Sequence, residues 1–318
     1  MDNRGSNLTN HLYARNEVTS GNRPSLQEAA PRSYTMATSN PSYCYLACTP
    51  SKASSWTSIS SFMHSLGCSS FNKLFWRVPI CRLRAVLSHP GLSKALVLKR
   101  SRKLVRHKIT ERDGSIQLGS FIVIAYKLGE PSRRIRKTVQ RALQRAPCFR
   151  LCPSVYAFPQ LRNGMGAKSQ SLIGHPNHKH GIITPRELTE ILAKCNARVF
   201  RVSRLVLLDK TMEDDLVERM VSIRRAQCRK LVQACKCIAS SIRLQRSEYF
   251  SVKAQKLKLS EIRFRYRAVR SVLLFFRKEL GINMSDELSR ASRAISSCHE
   301  ALKRVEETRA SVAMESAN

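Results

Sequence analysis

Between Glu28 and Glu111 this 318-residue chain has no acidic residue, an interval of 82 positions, 29 to 110. An ordinary composition, about one quarter charged, would place roughly ten acids there. Acids are scarce throughout, with 22 Asp and Glu against 56 Lys and Arg and a formal net charge of +34. Such a field repels basic surfaces and concentrates polyanions. Nucleic acid gains affinity from it by counterion release, and an anionic membrane surface is drawn by the same charge. No run approaches the roughly 18 or more apolar residues of a bilayer span, so no membrane span is expected. The first 20 residues lack the apolar core of a secretory signal. A Gly-rich phosphate loop, an HExxH pair and a GxSxG elbow are also missing. The chain therefore reads as non-catalytic, with no cofactor. The 11 cysteines are an odd number and cannot all pair within one chain. Several sit at apolar helical positions, where free Cys acts as a small hydrophobe, which points to a reducing cytoplasm.

Composition changes near residue 115. Upstream the chain is rich in Ser and Thr, as in Thr49-Pro50-Ser51-Lys52-Ala53-Ser54-Ser55-Trp56, and its apolar residues keep no sustained period. Three readings stand for 1–115: a basic, partly disordered arm, translated upstream sequence that is not normally coding, or an organellar transit-like segment. Length argues against the last. All three place 1–115 outside the fold.

From Leu118 onward the pattern is that of a folded protein. Phe121-Ile122-Val123-Ile124-Ala125-Tyr126 suits a central strand. Ser132 is placed to cap a helix over 133–146, with Ile135, Val139, Ala142, Leu143 and Ala146 on one face. A second strand is expected within Arg150–Phe158, its paired part starting at Ser154 because Pro153 lies inside the window. Residues 160–183 read as a long loop. Thr184 and Pro185 open a short helix, and Ala197–Leu208 is a third strand. This order gives residues 116–210 an α+β, ferredoxin-like α/β domain with one strand missing or hidden in the loop. One sheet face is left for a partner or a second copy in a homodimer. Residues 211–318 form a three-helix C-terminal region. Its helices run over 212–244, from Ser260 to a C′ glycine at Gly281, and from Ser285. No fixed-period internal repeat is evident.

The sharpest chemical signal is the 133–146 helix, with six cations and no acid: Arg133, Arg134, Arg136, Lys137, Arg141 and Arg145. At about 100° per residue most of them lie opposite the Ile135/Val139/Leu143 stripe, with Arg136 at its border. Like charges this close repel unless an anion is near, so this face reads as a phosphate-tracking surface against a bland solvated one. A second basic set, Arg263, Arg267 and Arg270 among others, is interleaved with Phe264 and Tyr266, aromatics able to stack on bases or to fill a core. His175, His178 and His180 have transition-metal ligand chemistry, but Lys179 opposes a cation and no Cys or acid lies nearby in sequence, so no metal is assigned. Cys148 and Cys152 read as apolar filling. Glu213, Asp214 and Asp215 suit a helix start.

Phe121–Tyr126, then Glu130-Pro131-Ser132 with its basic helix, then Ser154-Val155-Tyr156-Ala157-Phe158-Pro159, resembles the N-terminal domain of the ChrB chromate-resistance regulators. It is similar also to the C-terminal part of PaaX-type repressors and to small CRISPR-associated ferredoxin-like endonucleases. The resemblance covers roughly residues 118–309 and implies transcription regulation by a DNA-binding protein, responsive to chromate in the best-known members, with a sheet that can dimerise. Three departures stand. ChrB helices often carry Trp-Arg where this chain has Val139-Gln140. The separate ChrB C-terminal domain is missing. Lys127 and Leu128 follow Tyr126 where the nucleases place a metal-holding acid. The alternatives are a metal-dependent nuclease and a helical protein-interaction module.

Overall fold

The structure, a computed structural model, describes residues 42–48, 56–92, 94–109, 116–161, 181–243 and 251–315. Strand β1 (Tyr43–Ala47) leads into helix α1 (Trp56–Ser65), a hairpin of β2 (Ser69–Asn72) and β3 (Phe75–Pro79), the short helix α2 (Leu83–Leu87) and β4 (Leu96–Arg100). A ribbon of β5 (Lys108–Ile109) and β6 (Ile116–Gln117) follows. Next come β7 (Phe121–Lys127), α3 (Arg133–Arg145), a hairpin of β8 (Phe149–Cys152) and β9 (Val155–Pro159), α4 (Pro185–Lys194) and β10 (Arg198–Leu207). Three long helices complete the described chain: α5 (Lys210–Arg243), α6 (Val252–Leu280) and α7 (Ser285–Glu315).

The protein is mixed α+β, with one antiparallel eight-stranded sheet of order β2-β3-β1-β4-β10-β7-β9-β8. From either edge inward, the order is the same: second, third, first and fourth strand of a β-α-β-β-α-β segment. The two fourth strands meet at the centre, where Val206 of β10 lies opposite Lys99 of β4. The hairpins match pair for pair. Ser69 opposes Arg77, Ser70 opposes Trp76 and Asn72 opposes Phe75; 80 positions on, Phe149 opposes Ala157, Arg150 opposes Tyr156 and Cys152 opposes Val155. Each hairpin carries its register shift at the same place. The helices before them end at Ser65 and Arg145, also 80 positions apart. The sheet region is thus an internal structural duplication, one strand order and hairpin register occurring twice. The two copies share topology and hairpin register but little sequence, so no repeat is visible in the residues themselves.

Both sheet faces are covered. On one, α1 and α2 pack Ile59, Met63 and Val86 onto Cys44, Leu46, Trp76, Val78 and Val97. The second copy packs Val139, Ala142, Leu188 and Leu192 of α3 and α4 onto Ile124, Tyr126 and Phe158. The opposite face buries Ala47, Phe75, Leu96, Leu98, Phe121, Val123, Phe149, Val155, Leu205 and Leu207 with Leu216 and Met220 of α5 and Val269, Leu273 and Phe276 of α6. Each such aliphatic or aromatic side chain contributes about 1.5–3 kcal/mol. The sheet curls so far that its edge hairpins approach one another. The Cys152 thiol donates to the Leu74 carbonyl oxygen at 3.6 Å, and the rings of Phe71 and Phe200 lie 5.3 Å apart. Beyond the sheet the three long helices hold together around Leu231, Cys235, Leu259, Ile262, Ile295 and Leu302.

Several expectations are corrected here. Residues 42–48, 56–92 and 94–100 do not lie outside the fold: they supply half of the eight-stranded sheet. No strand of the second copy is missing. Arg150–Phe158 holds parts of two strands, and Pro153 sits in the turn between them with Ser154 at φ 64°. The face expected to be left for a second copy is occupied by α5 and α6. Helix α6 starts eight residues earlier than Ser260, at Val252, capped by Ser251. Other local expectations hold. Ser132 caps α3 by accepting from the Ile135 N–H at 3.3 Å, Thr184 and Glu187 form a capping box on α4 with Pro185 in the first turn, and Gly281 ends α6 at φ 65°.

Candidate nucleic-acid interface

Helix α3 is seated by its apolar stripe on β7 and β9, and that fixes which side faces out. Arg133, Arg134, Arg136, Lys137 and Arg141 are all exposed. None of them takes part in the ion pairs found among the described residues. Arg145 differs. It is half-buried and donates through Nε and Nη2 to the Gly181 carbonyl oxygen at 3.1 and 2.9 Å. Burial holds its pKa below the ordinary arginine value. It ties the chain down at residue 181 and stands apart from the exposed cations of α3.

The first turns of α6 run beside α3 and close a cleft of about 830 Å³. Lys137, Gln140, Arg141 and Gln144 form one wall; Leu257, Lys258, Glu261, Phe264 and Arg265 form the other. The one acid, Glu261, is paired to Arg265 at 2.6 Å. A second cavity of about 270 Å³ adjoins it, because Gln140 and Gln144 line both. Arg150, Tyr156, Ile223, Arg224 and Gln227 border this second space. Leu257 is 73% exposed and Phe264 39%.

Arg263, Arg267 and Arg270 do not join this cleft. Arg263 and Arg270 lie about 100° or more around α6 from Leu257, Glu261 and Phe264, and Arg267, one turn on from Phe264, is not among the lining residues. Arg270 instead lines a pocket of about 240 Å³ between α6 and α7, with Tyr266 and Arg277. Of the two basic sets expected to act together, only that of α3 lines the cleft, through Lys137 and Arg141. Tyr266 packs against the helical core, leaving Phe264 as the aromatic at the cleft. Sequence reasoning misses Lys258 because it begins α6 only at Ser260, and misses Gln140 and Gln144 because it takes only the cations of α3 as chemistry.

Among the described residues no three His, Cys, Asp or Glu side chains come together to hold a metal. His175, His178 and His180 lie outside the described residues. Cys148 and Cys152 are buried free thiols, pushed up to about 12 by burial, so they are poor nucleophiles. Glu213 is buried and accepts from the Leu118 N–H at 3.1 Å; burial raises its pKa. It anchors the segment entering β7 rather than only complementing a helix start. Among the described residues no helix is long and apolar enough to cross a membrane. Comparison with protein-family models, curated proteins and solved structures gives no match to this chain.

Proposed function

We propose that this protein is a nucleic-acid-binding regulator that holds phosphates on the outward face of α3 and in the cleft beside it. The observation that carries this reading is the contrast between the two copies of the duplication. Positions 80 residues before Arg136, Lys137, Arg141 and Arg145 hold Trp56, Thr57, Ser61 and Ser65 on α1. The fold accepts a helix there without Lys or Arg, and the only basic residue in α1 is His64. The charge on α3 is therefore not a requirement of the architecture, and it carries a repulsion cost that a bound polyanion removes.

Each copy has the strand and helix order of a ferredoxin-like unit, and we read the molecule as two such units joined edge to edge. In that reading β4 and β10 make the pairing that separate chains would make in a dimer. The likeness of residues 118–309 to the ChrB N-terminal domain favours DNA as the ligand and transcription regulation, with chromate as an effector to be tried. The nuclease alternative lacks support: Lys127 ends β7 where an acid is needed. The interaction-module alternative loses its motive, since the apolar stripes of α5–α7 are covered within the chain.

The test is fluorescence anisotropy of the full chain with labelled DNA across a salt series. Arg134→Ala, Lys137→Ala and Arg141→Ala combined should weaken binding at moderate salt. The slope of log K against log salt should become shallower by roughly 0.9 for each phosphate no longer neutralised. Unchanged affinity and slope in this triple variant would remove the assigned site.

A further inference from the structure

We infer that the cleft between α3 and α6 takes single-stranded nucleic acid, a few linked nucleotides with their bases unstacked. This rests on the nucleic-acid reading above and narrows it. Its cations are on both walls, Lys137 and Arg141 on α3 and Lys258 on α6, while the acid Glu261 is neutralised by Arg265 at 2.6 Å. A phosphate backbone running along the cleft meets positive charge on either side.

Apolar surface decides between one strand and two. Among the described residues seven large hydrophobic side chains are exposed, and three of them, Ile223, Leu257 and Phe264, line the cleft and the space adjoining it. A duplex presents mainly sugar and phosphate on its outer surface and yields base faces only where it is kinked open, so it covers these side chains poorly. Unpaired bases offer flat faces that stack on aromatic rings, together with edges for hydrogen bonds. The Gln140 and Gln144 amides, each with donors and an acceptor, stand between the two spaces, where base edges would pass.

Shape agrees. A helix reading a duplex enters a major groove about 12 Å wide, but the Lys137/Gln140/Arg141/Gln144 side of α3 is walled by α6 and cannot enter one. The cleft is concave, and its volume of about 830 Å³ lies in the range of roughly 300–1,000 Å³ that encloses small ligands. That is room for short unpaired chain and not for a double helix.

The experiment compares the full chain binding labelled oligouridylate, oligothymidylate and a duplex of equal phosphate number, by anisotropy at one salt concentration. Single strands should bind at least about tenfold tighter than the duplex. Phe264→Ala should weaken single-strand binding by roughly 5- to 100-fold, the loss of one base stacked on an aromatic ring, and leave duplex binding unaltered. Phe264→Trp, which keeps a stacking face, should restore it, separating a stacking role from a folding defect. A duplex bound as tightly as the single strands, or no response to Phe264→Ala in a normally folded variant, overturns this inference. The wider reading then stands if the α3 triple variant still loses affinity. Preference for an acidic amphipathic peptide over every oligonucleotide overturns both.

Discussion

The Arg224 guanidinium on α5 donates through Nη2 to the Ala146 carbonyl oxygen at 3.2 Å and through Nη1 to that of Gln144 at 3.4 Å. The last carbonyls of a helix have no partner of their own, and a cation there also faces the negative end of the helix dipole. The Gln227 Oε1 takes a third bond from Nη1 at 3.1 Å. Arg224 is only 5% exposed, and no carboxylate is among these partners. Burial lowers its pKa, yet it remains charged, since arginine does not lose its proton in proteins. One side chain thus fixes α3, the helix bearing the exposed cations, to the helical region that forms the opposite wall.

Arg224→Met should destabilise the protein by about 1–3 kcal/mol. The methionine fills most of the space and removes a buried charge, but it takes the guanidinium donor from the part-buried Gln144 carbonyl and leaves the Ala146 carbonyl with the Cys148 N–H alone. Arg224→Lys should fall between the two, because an ammonium cannot reproduce the planar fork. Urea denaturation followed by circular dichroism measures both. A methionine variant as stable as the parent would show that the end of α3 holds without this cap.

Gly119 lies where two segments of main chain cross. A Cβ built there meets the Val105 carbonyl oxygen, and comes within 2.7 Å of Arg106 C and His107 N. All three are backbone atoms, so no flexible side chain can yield. Gly119→Ala should cost on the order of 1–3 kcal/mol or more, as forced overpacking does, and lower the thermal midpoint. Gly129, with nothing within 4 Å of a built Cβ, is the matched control and should accept Ala at little cost.

Both ring nitrogens of His107 are buried, and neither makes a hydrogen bond of ordinary geometry among the described residues. Burial lowers its pKa below the usual 6.5, opposed in part by the nearby backbone of Leu280 and Gln117. The unfolded chain therefore takes up a proton near pH 6.5 that the folded chain refuses. Stability is insensitive to this group above that pH and falls as pH drops through it towards the lower folded value. His107→Asn should flatten that part of the stability profile below about pH 6.5. Equal slopes in parent and variant would mean that His107 is solvated or bonded in the native protein.

The second copy of the duplication was legible because its features are local. Ser132, Thr184 and Pro185 act within one helical turn, as Gly281 does at the end of α6, and the run Phe121–Tyr126 is long enough to stand alone. The first copy was not. β1 is five residues, Tyr-Cys-Tyr-Leu-Ala, with Cys44 and Leu46 in one core and Ala47 in another. A strand buried on both faces loses the alternation by which strands are found. Ser69 and Ser70 are exposed on an edge strand of four residues, too short to show a period. The start of α6 was hidden in the same way: Gln255 and Leu259 are buried among exposed lysines 253, 256 and 258, so the apolar stripe begins only where the helix reaches the bundle. The outward face of α3 could be read because its apolar stripe is intact; the wall that faces it could not, since nothing local places α6 beside α3.

The duplication also says which part of the chain can be removed. A fragment of residues 116–318 keeps every element that reads as folded in sequence, yet it loses β1–β4 and the whole core around Trp76. β10 then becomes a sheet edge with the pairing groups of Leu205–Leu207 unmatched, an invitation to aggregation. Leu205 and Leu207 lose Leu96 and Leu98 as neighbours in the shared core, and Phe200 loses the rings of Tyr45, Phe71 and Phe75. At about 1.5–3 kcal/mol for each large apolar side chain uncovered, these losses rival the roughly 5–15 kcal/mol by which a whole domain is ordinarily stable. The fragment should aggregate or unfold without a cooperative transition in urea, while the full chain unfolds cooperatively. A fragment of residues 116–318 that is monomeric and unfolds sharply would show that the second copy is a domain in its own right and that the β4–β10 pairing is dispensable.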